Sequence, residues 1–300
     1  MRRGIVLFIT LAILLMLSGV IFLFLHQSGV VKKSVRQNIA LVQTNLILND
    51  MSGYLKSQNF TQDDIFYGAG IPVALDLGPV NGMFSIDSAD RTININAYLK
   101  SLEKEQVVLE TFLQWLDERK IKDPQLLLAL LLDTMDKDLY PRIPGSEIRR
   151  TTPWFQNGSI PNRAALETVL SVYRQLSGDT RPDTQRWEEI FGFEGSVFDL
   201  NYAGPDQLRL LFPNLDPGAV ERIAAHNSRY EKAGDIPVGE ELQMELLQPH
   251  AGITPVLSTR EVAVHIDYTG AQECSGSLTF RMGLKKKKIT RLTLSTVRCP

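Results

Sequence analysis

The stretch from Ile5 to Leu25 limits what this chain can fold into more than any other. It is apolar except for Thr10 and Ser18, and it follows Arg2, Arg3 and Gly4. At about 1.5 Å of rise per residue it is long enough, as a helix, to cross a hydrocarbon core of about 30 Å. A buried helix of a globular domain would carry a polar face, which this run lacks. A cleavable secretory signal would have an apolar core of about 7–15 residues and a small-x-small exit, and Leu25-His26-Gln27-Ser28 offers none. The run is therefore read as a retained single span. Arg2 and Arg3 favour a cytoplasmic start, whereas Lys32, Lys33 and Arg36 pull the other way. The long body that follows is translocated largely regardless of charge, which places it outside.

Beyond the run, Val31, Val35, Ile39, Val42 and Leu46 recur at spacings of three and four, with polar residues between them. That period predicts that the span continues as an amphipathic helix to about residue 57. A rod this long has more apolar stripe than one small domain covers, and it invites packing with other rods. The rest of the 300 residues, with 44% apolar content and a net charge of −2, suffices for one or two cored domains and excludes a polyelectrolyte partner.

The texture changes from residue 58 to 98. Glycines, prolines and alternation in GMFSIDSADRTININAYL predict short strands, with Met83, Ile86, Ile93 and Ile95 pointing inward. Helical spacing returns at residue 99 with Leu102, Leu109, Phe112, Leu113 and Leu116, and Asp123-Pro124 marks the start of another helix. A further helix spans Pro161 to Gly178. Strand alternation resumes in VLSTREVAVHIDYT, GSLTFRMGL and KITRLTLSTVR, with the lysines 285–288 as a charged turn. The fold class is α+β. The expected division is a leader 1–4, a span 5–25, a continuing helix 26–57, a first part of a sheet 58–98, a helical insertion 99–255 with subdomains 99–185 and 186–255, and closing strands 256–300.

Chemistry-bearing residues are few. Asp133, Asp136 and Asp138 lie within six residues, and Glu147 returns after a Pro-Gly turn, a set of oxygens able to hold a hard cation such as calcium. A solvated acidic loop is the alternative, since the spacing is not that of the twelve-residue helix-loop-helix calcium site. Cys274 and Cys299 are the two cysteines; in an oxidising compartment they can close a disulfide, and in a reducing one they are two thiols. Four histidines, His26, His226, His250 and His265, are scattered without metal spacing, and no nucleophile elbow, phosphate loop or His-Glu-x-x-His occurs, so no enzyme is expected. Leu215-Asp216-Pro217-Gly218-Ala219-Val220-Glu221-Arg222-Ile223 has the style of a DNA-gripping helix hairpin. Residues 190–250, however, hold ten Asp or Glu against four Lys or Arg, the wrong sign for phosphate, and no nucleic acid is expected.

A basic leader ending in glycine, a long hydrophobic helix and a small sheet after it resemble type IV pilins and the pseudopilins of type II secretion. The resemblance implies cleavage between Gly4 and Ile5 by a prepilin peptidase and methylation of the new amine. Pilins commonly carry glutamate at the fifth mature position, which here is Ile9. A subunit without that acid resembles the K-type minor pseudopilins (the general secretion pathway protein K family). Leu131-Leu132-Asp133-Thr134-Met135-Asp136-Lys137-Asp138, then Pro144-Gly145-Ser146-Glu147, resembles the stretches that carry calcium in that family, departing at Thr134 and Ile148. Asn94-Ile95-Asn96-Ala97 and Leu200-Asn201-Tyr202-Ala203 resemble the openings of its two helical (SAM-like) subdomains. The resemblance covers essentially the whole chain in domain order. It implies a single-pass protein of the bacterial inner membrane with a periplasmic body, assembling with minor pseudopilins I and J at the tip of the pseudopilus in protein secretion. The major pseudopilin and secreted substrates are implied as further contacts. A minor pilin of a type IV pilus or competence system shares most of these features, and a membrane-anchored helix-hairpin-helix DNA receptor is the remaining alternative.

Overall fold

The structure, a computed structural model, describes residues 38–78, 80–270 and 274–294, with Ser18 and Val35 besides. In chain order, helix α1 covers residues 38–57 and is followed by α2 (Gln62–Gly68) and strands β1 (Val73–Asp76) and β2 (Asn81–Ser88). A long helical stretch opens with the two-residue strand β3 (Ile93–Asn94). It runs through α3 (Ile95–Leu102), α4 (Gln106–Glu118), α5 (Pro124–Met135), α6 (Ile148–Thr151), α7 (Arg163–Ser177), α8 (Arg181–Thr184) and α9 (Trp187–Ile190), and closes with β4 (Phe191–Gly192). A shorter stretch runs from β5 (Val197–Asp199) through α10 (Pro205–Leu211), α11 (Pro217–Ala224) and α12 (Glu240–Glu245) to β6 (Thr254–Val256). The strands β7 (Glu261–Thr269), β8 (Ser275–Gly283) and β9 (Lys288–Leu294) complete the described chain. Among the described residues no helix is long and apolar enough to cross a membrane, and the run 5–25 lies outside them.

These elements form two compact units. The first takes the chain before Gln62, then Gly68–Asp87 and the strands from Ala263 onward; the second takes Gln62–Tyr67 and Ser88–Val262. The second unit is thus an insertion in the sequence of the first, opening and closing nearer the strands than 99 and 255.

In the first unit a five-stranded sheet has the order β1-β2-β7-β8-β9, with β1–β2 and β8–β9 antiparallel. Helix α1 buries Ala40, Thr44, Ile47, Met51 and Leu55, one stripe at spacings of three and four. The Thr44 hydroxyl meets Tyr268 OH across that face. A Cβ on Gly270 would come within 2.3 Å of Gln43 Oε1. The expected stripe is the other one: Val35, Val42 and Leu46 are 49%, 59% and 56% exposed. At about 100° per residue Val42 and Leu46 fall on the side of α1 roughly opposite the buried stripe. The helix carries two apolar faces, and one of them is left exposed. The β2 phase also differs from expectation, because Phe84 is buried and Met83 is half exposed. Strand register sets this: Val73 pairs with Phe84 and Ala74 with Met83, and the Phe84 ring sits edge-on to Tyr54.

The lysine run does more than mark a turn. Lys287, at φ 47°, aims its ammonium at Lys56 O (2.7 Å), Gln58 O (3.0 Å) and Asn59 Oδ1 (3.3 Å). It thereby caps carbonyls that α1 leaves open at its C-terminus, where a positive charge also suits the helix dipole.

The second unit is built from two similarly closed pieces. β3 pairs in parallel with β4, and β5 in parallel with β6, so the first and last strands of each helical stretch lie side by side. Ile95, expected as a strand residue, already opens α3, because Asn94 Oδ1 accepts from Asn96 N (2.9 Å) as an N-cap. Asp199 Oδ1 accepts from Asn201 N (3.0 Å) in the same way. Asn96 Oδ1 accepts from Ile160 N (2.7 Å), and its amide donates to Ile160 O (3.0 Å) and Phe193 O (3.2 Å). Asn201 Oδ1 accepts from Tyr230 N, and its amide lies 3.3 Å from Tyr230 O and 3.1 Å from Leu257 O. Each asparagine therefore grips both groups of one distant residue and the carbonyl just beyond the closing strand.

The core of this unit centres on Tyr98, Phe112, Trp115, Trp187 and Phe191, all buried and in ring contact. Arg119 lies 3.9 Å over the Trp115 ring and pairs with Asp206 at 2.5 Å, joining α4 to α10. Prolines 124, 205 and 217 each stand in the first turn of a helix, where the missing N–H costs nothing.

The clasp predicts its own ranking. Asn201→Ala, which strands the buried Tyr230 N–H and Leu257 C=O, should lower unfolding stability in urea by about 3 kcal/mol. Asn96→Ala, at a less buried site, should cost about half as much. A second expectation concerns charge. Burial pushes the Asp199 carboxyl above its ordinary value despite bonds from Asn201 and Thr259, and Asp90 is raised by burial as well. A carboxylate raised in the folded state stabilises at low pH and loses that contribution as pH rises. The matching position of the first piece is already Asn94, so Asp199→Asn should be tolerated. Its stability relative to the parent should rise as the pH passes above the ordinary carboxylate value and level off once Asp199 of the parent is ionised, read in urea titrations.

Candidate cation site

Helix α5 sets the site by where it stops. Asp123 caps its start through Leu126 N (3.0 Å), and Leu126 to Leu131 are buried, so its C-terminus is fixed against the core. Asp133 stands in the last turn with a side chain of 0% exposure, at the helix end least suited to an anion. Its carboxylate is held instead by the loop that follows. Arg142 Nη1 reaches Asp133 Oδ1 at 2.6 Å, Arg142 N reaches Oδ2 at 3.0 Å, and the Ser146 hydroxyl also meets Oδ2. The same guanidinium bonds Asp136 Oδ2 (2.6 Å) and Glu103 Oε1 (2.5 Å). Burial pulls the Arg142 guanidinium down, but its bonds to Asp133 and Asp136 and their charges outweigh that and leave it raised.

The remaining oxygens form a second layer. Glu147, 2% exposed, accepts on Oε1 from Arg149 N (3.1 Å) and Asn157 Nδ2 (2.8 Å). Asn157 Nδ2 also lies 3.3 Å from Asp138 O, and Gly158 N donates to Thr134 O (2.9 Å), which ties the returning strand of the loop to the end of α5. Asp138 Oδ1 accepts from Tyr140 N (2.8 Å), a tight turn closed by its own side chain. Three buried oxygens in this cluster, Asp136 Oδ1, Glu147 Oε2 and Asn157 Oδ1, meet no hydrogen-bond donor. The Asp136 carboxyl is raised, by burial first and by the neighbouring charges of Asp138 and Asp133, against the pull of Arg142.

All four expected carboxylates thus share one loop cluster, with unequal roles. Both Asp133 oxygens are committed to Arg142 and Ser146, and they organise the loop from beneath. Glu147 meets Asn157, a residue whose amide carries no acidic signal in the sequence, and Asp138 contributes its backbone carbonyl there while its carboxylate is exposed. Among the described residues no three His, Cys, Asp or Glu side chains converge as a metal group. Any cation here therefore needs amide and backbone oxygens as well as carboxylates, which is the donor set a hard cation accepts.

The other expected positions fall elsewhere. Gly4, Ile5, Ile9 and Cys299 lie outside the described residues. Cys274 is buried and disulfide-bonded. In the hairpin between α10 and α11, Asp216 Oδ1 accepts from Ala219 N (3.0 Å), so a carboxylate already sits where a phosphate would need the backbone amide.

Arg142→Ala would leave Asp133 buried without its counter-charge. Because the guanidinium itself is about one-third exposed, the loss should stand near the low end for a broken buried pair, about 3 kcal/mol in urea unfolding, with Arg142→Lys recovering part of it.

No protein-family model matches the chain, and no curated relative does. Among solved structures the chain is similar to one in the crystal structure of the GspK-GspI-GspJ complex from the enterotoxigenic Escherichia coli Type 2 Secretion System. That similarity has a TM-score of 0.47 at 13% identity, and covers 88% of this chain and 98% of that one.

Proposed function

We propose that this protein is a minor pseudopilin, anchored in the inner membrane by residues 5–25 and assembled with other minor pseudopilins at the tip of a type II secretion pseudopilus. The observation that carries this reading is the second apolar face of α1. Val42 and Leu46 stay exposed although the opposite stripe is buried against the protein's own sheet. In water such a face is a cost, and it is relieved by packing against another helix. In sequence it continues from the apolar run that begins at Ile5, behind the Arg2-Arg3-Gly4 leader. Absence of an acid at Ile9 supports an end position, since no carboxylate is there to pair with the amine of a neighbouring subunit. The large inserted helical unit supports it too, because a terminal subunit need not be stacked upon. Minor pseudopilins I and J are the expected partners, and the mature chain is expected to begin at Ile5.

Two measurements test this together. Mass spectrometry of the protein from its native membrane should give a methylated amine at Ile5, and a chain beginning at Met1 or near Ser28 would overturn the reading. Val42→Asp with Leu46→Asp alters only exposed positions, so circular dichroism should be unchanged while co-purification with minor pseudopilins I and J is lost.

We propose further that Asp136, Glu147 and Asn157, with backbone oxygens of the loop, hold calcium, while Asp133 and Arg142 brace the loop. Three orphaned buried oxygens support this, because each is costly without a donor or a cation. Bound calcium would neutralise the crowded carboxylates and join the returning loop to the end of α5. Since the Asp136 carboxyl is raised, protons compete with the ion, and the gain should grow with pH. Saturating calcium should raise the melting temperature by several degrees at pH 7 and by less at pH 5, an effect that Glu147→Gln with Asn157→Ala removes. An equal melting temperature with calcium and with chelator at pH 7 would defeat the site.

A further inference from the structure

We propose that the outer surface of the same loop cluster docks an acidic polypeptide segment carrying an apolar anchor. Tyr140 is 82% exposed and Trp154 76%, the most exposed aromatic rings among the described residues, and Leu139 beside Tyr140 is half exposed. The chain's other two tryptophans, Trp115 and Trp187, are each 3% exposed. Tyr140 lies two residues beyond Asp138 and Trp154 three before Asn157, and those two residues are tied by the 3.3 Å contact of Asn157 Nδ2 with Asp138 O. The segments that carry the two rings are therefore held together. Pro141, Pro144 and Pro153, the side-chain turn at Asp138 and the Gly158–Thr134 bond stiffen the segments that carry them. A stiff surface loses little freedom on binding.

Charge chooses the partner. Lys137, Arg149 and Arg150 are exposed here, and none forms an ion pair among the described residues. Arg142 is committed to Asp133, Asp136 and Glu103 and Glu147 is buried, so Lys137, Arg149 and Arg150 are left with Asp138 as the exposed acid between Lys137 and Ser159. This basic end stands on a chain of net charge −2. Tryptophan, tyrosine and arginine together are the residues that dominate binding energy at protein interfaces, with charged pairs setting orientation around an apolar centre. An anionic bilayer would also attract the bases, but it would press charge against the exposed Asp138 as well. A polypeptide can place its acids opposite Lys137, Arg149 and Arg150 and leave Asp138 to water. The surface lies outside the second layer of oxygens, so the inference does not depend on the calcium reading.

The test uses the full chain in phosphatidylcholine nanodiscs and a tryptophan-free twelve-residue peptide alternating glutamate and leucine. Trp154 reports docking directly, because the other two tryptophans are buried. A saturable blue shift of its emission is expected, at least tenfold weaker in affinity for the peptide with glutamine in place of glutamate. Arg149→Gln with Arg150→Gln should weaken the glutamate peptide by a similar factor, and Arg149→Lys with Arg150→Lys should restore it. All four substitutions are at exposed positions, so an unchanged melting temperature separates lost docking from lost folding. Trp154→Phe should remove the shift, which assigns it. Absence of a saturable shift, equal affinity for the two peptides, or full affinity in the glutamine double variant overturns the proposal. A shift given by phosphatidylglycerol vesicles and not by the peptide also overturns it, with a membrane as the occupant.

Discussion

An asparagine side chain carries the same donor and acceptor as a peptide group, and the inserted helical unit depends on that equivalence twice. Strands of two or three residues cannot hold a stretch of helices closed by their ladder alone. Asn96 and Asn201 supply what the ladders lack. Each matches both groups of one remote residue, Ile160 or Tyr230, and then takes the carbonyl just past the closing strand, at Phe193 or Leu257. No other side chain except glutamine offers both functions, and glutamine is one carbon longer. The clasps turn two strings of short helices into two closed pieces, and one continuous apolar core and the Arg119–Asp206 pair then join them.

The acidic loop follows the same logic with charge in place of amide geometry. Asp133 at the buried end of α5 would be an unpaired anion against the helix dipole, and Arg142 answers it while also gathering Asp136 and Glu103. Once the loop is folded back in this way, Glu147 and Asn157 arrive beside Asp138, and oxygens are left over that no donor among the described residues satisfies. One arginine thus creates both the inner layer that is complete and the outer layer that is not. The exposed Tyr140 and Trp154 are carried on the same braced segments, so the architecture that gathers the carboxylates also presents the aromatic surface.

In the first unit the deciding fact is that α1 is apolar on two sides. Ala40, Thr44, Ile47, Met51 and Leu55 form the buried face, where the Thr44 hydroxyl meets Tyr268 OH, and Val42 and Leu46 stay outside. Periodicity alone finds an apolar stripe and does not say which of two the sheet covers. Lys287 shows the same limit of local reading. Four consecutive lysines look like solvated turn residues, yet one of them finds the open carbonyls of a helix more than two hundred positions earlier in the chain.

Several elements are determined by the sequence itself because their causes are local. Asp123-Pro124 starts α5, Gly178 at φ 69° ends α7, and alternation places β7, β8 and β9. The apolar run from Ile5, the leader before it and the four carboxylates of the loop are legible for the same reason: composition and spacing carry them. Partners remote in sequence are not legible. The pairing of β3 with β4, the two asparagine clasps, the recruitment of Asn157, the commitment of Asp133 to Arg142 and the choice of inward face on α1 all rest on groups between 9 and 224 residues apart. Only tertiary structure decided these, because a hydrogen bond or a close contact is specified by what the whole fold brings within about 3–4 Å, and no local pattern records that.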